Sequence, residues 1–316
     1  MQSVWIGCVL SFLVTCGAVA PASRLAWRIG AIDRPGEHRR MHRCAIPRIG
    51  GVAILLGFFC SYCLLFSVDR MLLGGLFLML VGVLDDVYTI TPGVKLLAQI
   101  TAALLACGVS VSLGGVLSIF WVVLLCNAHN FIDGIDGLLA GCAVVESTAL
   151  SLTLWTVGSE ATPGMLLGAA CLAFRVYNRH PARIFAGDCG SMCIGYFLAV
   201  LSMPLFSHAG TALELLSPLF LFAYPITDLT TAVMRRVLRG KSPFCADRGH
   251  LHHRICDGGV GQIACGRILI GLCVMLASVG VLLSTDRFLL RGSVLCVLTV
   301  LEMALVRRAF FGVGRI

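Results

Sequence analysis

Residues 114–157 read GGVLSIFWVVLLCNAHNFIDGIDGLLAGCAVVESTALSLTLWTV: two apolar stretches divided by a short run of amides, carboxylates and glycines. A membrane-crossing helix takes about 20 mostly apolar residues, and the polar run between the stretches is too short to form a domain of its own. The same alternation continues in both directions. Candidate spans lie at 4–23, 46–67, 70–84, 94–112, 114–128, 138–157, 162–176, 190–206, 212–233, 266–284 and 288–305. The expected fold class is all-α: a polytopic membrane protein with about 11 transmembrane helices, forming one integral membrane domain over residues 1–316.

The composition agrees. Of 316 residues, 58% are apolar and 13% charged, and the mean hydropathy is +0.94, which excludes an ordinary soluble domain. Residues 4–23 end in the small-residue run GAVAPAS and so have one feature of a secretory signal. Such a signal begins with positive charge, whereas the first basic residue is Arg24, so a retained first helix is expected. The 16 cysteines are scattered through apolar stretches, where Cys behaves as a small hydrophobe, and no disulfide framework is read from them. Cys60 and Cys63 have redox-like C-x-x-C spacing but lie inside a span without a βαβ context, which favours packing.

Lys and Arg accumulate in cytoplasmic loops. With an external amino terminus, the inside segments are 24–45, 85–93, 129–137, 177–189, 234–265 and the tail. Together with their immediate flanks, these hold every Lys and Arg except Arg70, Arg287 and Arg291. The net charge of +8 is mostly this sorting, with attraction to anionic lipid and phosphorylated substrates as a second contribution. The bilayer is therefore an expected partner. Nucleic acid is not, because no segment outside the spans is large enough to bind it.

Every internal loop carries chemistry. LVGVLDDVYTI places Asp85 and Asp86 at a helix carboxyl end, where the dipole disfavours them unless a metal, a lysine such as Lys95 or a bound proton relieves the conflict. In NAHNFIDGIDGLLAG, Asn127, Asn130, Asp133 and Asp136 recur at spacings of three, one face if the backbone is helical, while Gly134 and Gly137 permit close approach. Hard oxygen donors suit Mg²⁺ or Mn²⁺ carrying substrate phosphates; a capped turn is the structural alternative. RIFAGDCGSM puts Asp188 at a helix amino terminus, as an N-cap or a metal ligand. SPFCADRGHLHHRI offers Asp247, Arg248, His250, His252, His253 and Arg254 for phosphate or uridine contact, with a spacing that fits zinc poorly. Arg39, Arg40, His42 and Arg48 in GAIDRPGEHRRMHRCAIPRIGG could line an anionic path.

These motifs, collinear over nearly the whole chain, resemble the polyprenyl-phosphate N-acetylhexosamine-1-phosphate transferases, glycosyltransferase family 4, which include the bacterial phospho-MurNAc-pentapeptide translocase and the eukaryotic dolichyl enzyme. SPFCADRGHLHHRI looks like the branch acting on GlcNAc. The resemblance implies transfer of GlcNAc-1-phosphate from a UDP-amino-sugar donor to undecaprenyl phosphate, in a cytoplasm-facing cleft of a bacterial inner membrane. Other UDP-HexNAc donors and UDP-MurNAc-pentapeptide are the alternatives. It further implies Mg²⁺ ligands at Asn130 and Asp188 and a base at Asp85 with Asp86 in support. A phosphate contact falls on Lys95, carboxylates near nucleotide or metal are Asp133 and Asp136, and donor contacts are His250, His252 and His253. Asn127, Arg48 and Arg248 join the substrate-binding set. One-step displacement and a route through an aspartyl-phosphate are both open, and so is a homodimer. An ion-coupled transporter is the rival from another class. It expects acids at mid-membrane, where only Glu146 and Asp228 stand, without an assigned role. A dead scaffold would be expected to lack one of the acidic motifs.

Overall fold

The computed structural model describes residues 2–35, 44–242 and 249–284. It is helical apart from one two-residue antiparallel ladder. In chain order the elements are α1 (Gln2–Ile29), β1 (Ile32–Asp33), β2 (Ile46–Pro47), α2 (Gly50–Leu65), α3 (Arg70–Tyr88), α4 (Pro92–Cys107), α5 (Leu113–Ile132), α6 (Leu138–Thr156), α7 (Thr162–Asn178), α8 (Gly187–His208), α9 (Ala212–Leu221), α10 (Ala223–Leu238), α11 (Leu251–Asp257) and α12 (Gln262–Leu283). Ile32 pairs with Pro47 and Asp33 with Ile46.

The first ten sequence-derived spans each coincide with helix; the eleventh, 288–305, lies outside the described residues. Among the described residues six helices are long and apolar enough to cross a membrane alone, or seven counting the α9–α10 pair. Helices α2 and α4 have 16 residues each, about 24 Å, short of the roughly 30 Å core. The segment expected as one span at 212–233 is instead broken at Phe222, with a bend of 79°. Pro225, which lacks an N–H and whose ring collides with the carbonyl four residues back, accounts for the break. The chain is a multi-pass membrane protein.

Local chemistry explains several helix starts. The Asp69 side chain accepts from Leu72 N–H at 2.9 Å and opens α3, Pro92 opens α4, and Ser112 accepts from Gly115 N–H at 3.1 Å at the head of α5. The centre belongs to α8, buried at every residue from Gly187 to Ala199, as expected of a helix apolar all round. Lipid supplies no hydrophobic drive between helices, so close backbone approach through small residues carries the packing. A Cβ on Gly51 would lie 2.2 Å from Gly190 N, and one on Gly82 2.4 Å from Cys189 Cα. By contrast α1 turns Trp5, Ile6, Val9 and Leu13 outward.

Gly82→Ala and Gly51→Ala should each cost about 1–3 kcal/mol by overpacking against backbone, seen as a lower Tm of the detergent-solubilised protein. Gly17→Ala, where a Cβ meets nothing within 4 Å, should leave Tm unchanged or slightly raised.

Candidate active site

The polar ends of α3, α4, α5 and α8 meet at one end of the bundle. Asp85 and Asp86 close α3, where the helix dipole is negative, and two cations answer them. Lys95, in the first turn of α4, contacts both Asp85 and Asp188. Arg48 places Nε 3.0 Å from Asp86 Oδ1 and Nη2 3.2 Å from Asp188 Oδ1. The lysine anticipated as relief for the paired carboxylates thus provides it for Asp85, and Arg48 does so for Asp86.

Asp86 has a second task. The first turn of α8 has no side-chain cap of its own; instead Asp86 Oδ1 accepts from Asp188 N–H at 2.9 Å and Oδ2 from Cys189 N–H at 3.1 Å. This corrects the N-cap reading of Asp188. The cap position is Ala186, and Asp188 lies inside the helix with its oxygens on Lys95 and Arg48. Gly187 has φ +72°, and a Cβ there would lie 1.8 Å from Arg48 O, so only glycine lets the two segments close on each other.

α5 ends at Ile132, so the Asn127-to-Asp136 run is helix first and turn afterwards. Asn127 and Asn130 share a helical face. Asn127 Nδ2 donates to Gln99 Oε1 at 2.7 Å, and Asn130 Nδ2 lies 3.5 Å from Asp188 Oδ2. Asp133 makes no hydrogen bond to a described residue; burial pushes it up to about 7, with the charge of Asp188 adding to the shift. Asp136 leaves that face: its Oδ2 accepts from His180 Nδ1 at 2.8 Å and from Ala182 N–H at 3.1 Å. Asn178 fastens the same two loops together by accepting from Gly137 N–H at 3.1 Å and donating to Ile184 O at 2.8 Å.

The histidine loop is held by Asp228, previously without a role. Its Oδ2 faces His250 Nδ1 at 2.9 Å, and its Oδ1 accepts from Leu251 N–H at 2.8 Å. Such a carboxylate fixes ring orientation. His252 lies against Gly134, where a Cβ would stand 2.2 Å from its Nε2. Among the described residues neither ring nitrogen of His252 has a hydrogen-bond partner. Burial, aided by His253, pushes it down to about 3, so the ring is neutral at physiological pH. Arg236 stacks over Phe131 at 5.2 Å from the ring centroid, next to His250.

These groups line one cavity of 1980 Å³. Lys95, Asn127, Asn130, Asp133, Asp136, Asp188, Arg48, His250, His252 and His253 are on its wall, whereas Asp85 and Asp86 stand behind it. Arg248, with Asp247, Arg39, Arg40 and His42, lies outside the described residues. Sequence reasoning missed Gln99, Asn178 and His180, whose partners are remote in the chain. It singled out Asp228 without finding its histidine. Asp85, Asp86 and Asp188 outnumber Lys95 and Arg48, and Asn130 and Asp188, each carrying a hard side-chain oxygen, are neighbours on the cavity wall; charge and residue chemistry both fit a divalent cation.

Carboxylates, amides, cations and imidazoles are thus gathered in one cavity at the end of a many-helix membrane bundle. Residues 70–205 match glycosyl transferase family 4. A probable undecaprenyl-phosphate N-acetylglucosaminyl 1-phosphate transferase of Bacillus subtilis (strain 168) is 30% identical over 286 residues, 83% of this chain and 80% of its own. A decaprenyl-phosphate N-acetylglucosaminephosphotransferase of Mycobacterium tuberculosis (strain ATCC 25618 / H37Rv) is 33% identical, covering 78% and 74%. An undecaprenyl-phosphate alpha-N-acetylglucosaminyl 1-phosphate transferase of Escherichia coli (strain K12) is 29% identical, covering 88% and 83%. The chain belongs to glycosyl transferase family 4.

Asp86 and Asp133 should respond oppositely to amide substitution. Asp86→Asn leaves Arg48 and a backbone N–H of α8 poorly matched and should cost about 2 kcal/mol or more. Asp133→Asn should stabilise. A carboxyl whose folded pKa is raised loses stability as pH climbs from its unfolded value, about 3.9, to the folded value near 7. The gain over the parent should therefore be larger at pH 8 than at pH 5, measured as Tm in detergent.

Proposed function

We propose that the chain transfers GlcNAc-1-phosphate from UDP-GlcNAc to undecaprenyl phosphate at the cytoplasmic face of a bacterial inner membrane. UMP is released, and undecaprenyl-diphosphate-GlcNAc starts a surface glycan of the O-antigen, common-antigen or teichoic-acid-linkage kind. The carrying observation is that one cavity is lined by two chemically different sets of side chains. Asp188, Asn130, Lys95, Arg48 and the histidines are the polar set, and Phe120, Val123, Leu124, Leu229, Val233 and Met234 of α5 and α10 are the apolar one. A charged nucleotide-sugar suits the first and a lipid tail the second. The names of the relatives support GlcNAc as the sugar and a polyprenyl phosphate as the acceptor.

Lys95 and Arg48 take phosphate oxygens as fixed cations. Neutral His252 offers an N–H, and His250 is aimed by Asp228. Asn130 and Asp188 would hold Mg²⁺, or Mn²⁺ in its place, which when bound neutralises the diphosphate and aligns it for displacement. Among the described residues no three His, Cys, Asp or Glu side chains form a ready metal cage, and an ion on Asn130 and Asp188 would take its remaining oxygens from substrate and water. An oxygen of the lipid phosphate attacks the β-phosphorus, the bond from that phosphorus to the bridging oxygen breaks, and UMP leaves with the electron pair. Asp133, on the cavity wall and without a hydrogen-bond partner among the described residues, accepts the proton when the lipid phosphate arrives as its monoanion. Asp85 and Asp86 are engaged behind the wall in holding Lys95, Arg48 and α8, which favours direct displacement over an aspartyl-phosphate. Glu146 and Asp228 are each paired with histidine, whereas Asp85, Asp86, Asp133, Asp136 and Asp188 gather at one end of the bundle, where an ion path would need acids along its length.

Purified protein with Mg²⁺, undecaprenyl phosphate and a panel of UDP-sugars should release UMP best from UDP-GlcNAc, and Asp188→Ala should abolish release. Preference for another UDP-HexNAc or for UDP-MurNAc-pentapeptide would reassign the donor, and no turnover with any donor in folded protein would sink the reading. The rate should rise with pH through about 7, since roughly a tenth of a group with that pKa is ionised at pH 6 and nine-tenths at pH 8. A limb that persists unchanged in Asp133→Asn would belong to the lipid phosphate, whose second pKa is about 6.

A further inference from the structure

One pair of ionisable side chains is sealed within the bundle, away from the cavity. His129, near the end of α5, and Glu146, on α6, have no solvent exposure, and His129 Nε2 lies 2.7 Å from Glu146 Oε2. The other ring nitrogen, Nδ1, is 2.8 Å from the Leu125 carbonyl. A carbonyl only accepts, so Nδ1 carries a hydrogen, and the Nε2–Oε2 contact contains one proton whichever atom holds it. The pair is neutral as a unit. Glu146 Oε1 accepts from the Cys273 thiol of α12 at 3.8 Å. Phe222, at the break between α9 and α10, sets its ring edge-on to the imidazole at 6.4 Å.

Burying such a pair is costly, and apolar residues of the same volume would join α5 to α6 with less desolvation. What a hydrogen-bonded pair adds is direction, because it fixes the rotation of α5 about its own axis. His129 lies between Asn127 and Asn130 in the chain. Those amides line the cavity, while the imidazole enters the bundle behind them. On the same turn, Gly195 of α8 abuts the Leu125 carbonyl, leaving only 2.3 Å for a Cβ. We propose that the His129–Glu146 pair is the rear anchor of the turn bearing Asn127 and Asn130, a positioning device for the reacting groups; it rests on the functional reading above. A rotation of α5 by roughly 20° would carry an atom about 6 Å from the axis through about 2 Å. A misplacement of about 1 Å near the chemistry costs on the order of 100-fold in rate.

The test compares Glu146→Gln, Glu146→Leu, His129→Leu and the double Leu variant in the full chain. It follows Tm, kcat, and Mn²⁺ affinity by electron paramagnetic resonance without substrates. Glu146→Gln, whose amide N–H donates to a neutral imidazole, should stay within about threefold of the parent kcat. Each Leu variant should lose about tenfold or more in kcat. The double variant leaves no orphaned polar group and should regain Tm, yet keep the kcat loss and bind Mn²⁺ about tenfold more weakly. Recovery of kcat and Mn²⁺ affinity together with Tm would reduce the pair to packing and overturn the proposal, as would a Glu146→Gln variant as impaired as Glu146→Leu. If the parent turns over no donor, the functional reading falls while the Mn²⁺ comparison still decides the anchor; a parent that neither turns over nor binds Mn²⁺ overturns both.

Discussion

Three carboxylates, Asp85, Asp86 and Asp188, are crowded at the end of a membrane bundle, and like charges so placed repel strongly where the dielectric is low. The structure tolerates them because each is tied to something positive. Lys95 bridges Asp85 and Asp188, Arg48 bridges Asp86 and Asp188, and the first N–H groups of α8 end on Asp86. Removing any member leaves a buried charge uncompensated. This arrangement also sets the order of the helices: α3 must deliver its carboxyl end to the amino end of α8, and the loop before α2 must reach both.

That requirement explains the tightness around α8. Gly51, Gly82, Gly187, Gly190 and Gly195 stand where neighbouring backbone leaves no room for a side chain, so the charged groups meet within hydrogen-bonding distance. A second set of carboxylates works by aiming histidines or loops. Asp228 holds His250, Asp136 holds His180, and Glu146 holds His129. The acids that look anomalous at membrane depth are thus partners of imidazoles, and the cavity is left with Asp133 as the carboxylate without a described hydrogen-bond partner.

The helical spans, the polar loops between them and the cavity groups that fall in local clusters such as NAHNFIDGIDG were legible in the sequence, because apolar length and clustering are properties of adjacent residues; Asp33, His180, Arg183 and Arg236 on the same wall were not. Lys95 was even recognisable as the relief for the acids of α3, since a helix end with two carboxylates demands a cation. The pairings were not legible. Asp85, read as the base with Asp86 in support, stands with it behind the cavity wall, while Asp133 and Asp136, three residues apart, meet different surroundings because α5 stops at Ile132 between helix and turn.

The sequence by itself determined that this chain lives in a membrane and where most of its helices lie. Only the tertiary structure decided which carboxylates are held and which are available. That choice depends on pairings such as Arg48 with Asp188, Asp136 with His180 and Glu146 with His129, made between groups distant in the chain. It depends as well on the 79° break at Phe222, which brings Asp228 to the histidine loop. Periodicity and spacing describe what one helix offers; hydrogen-bond satisfaction among several helices settles what is left over for a ligand.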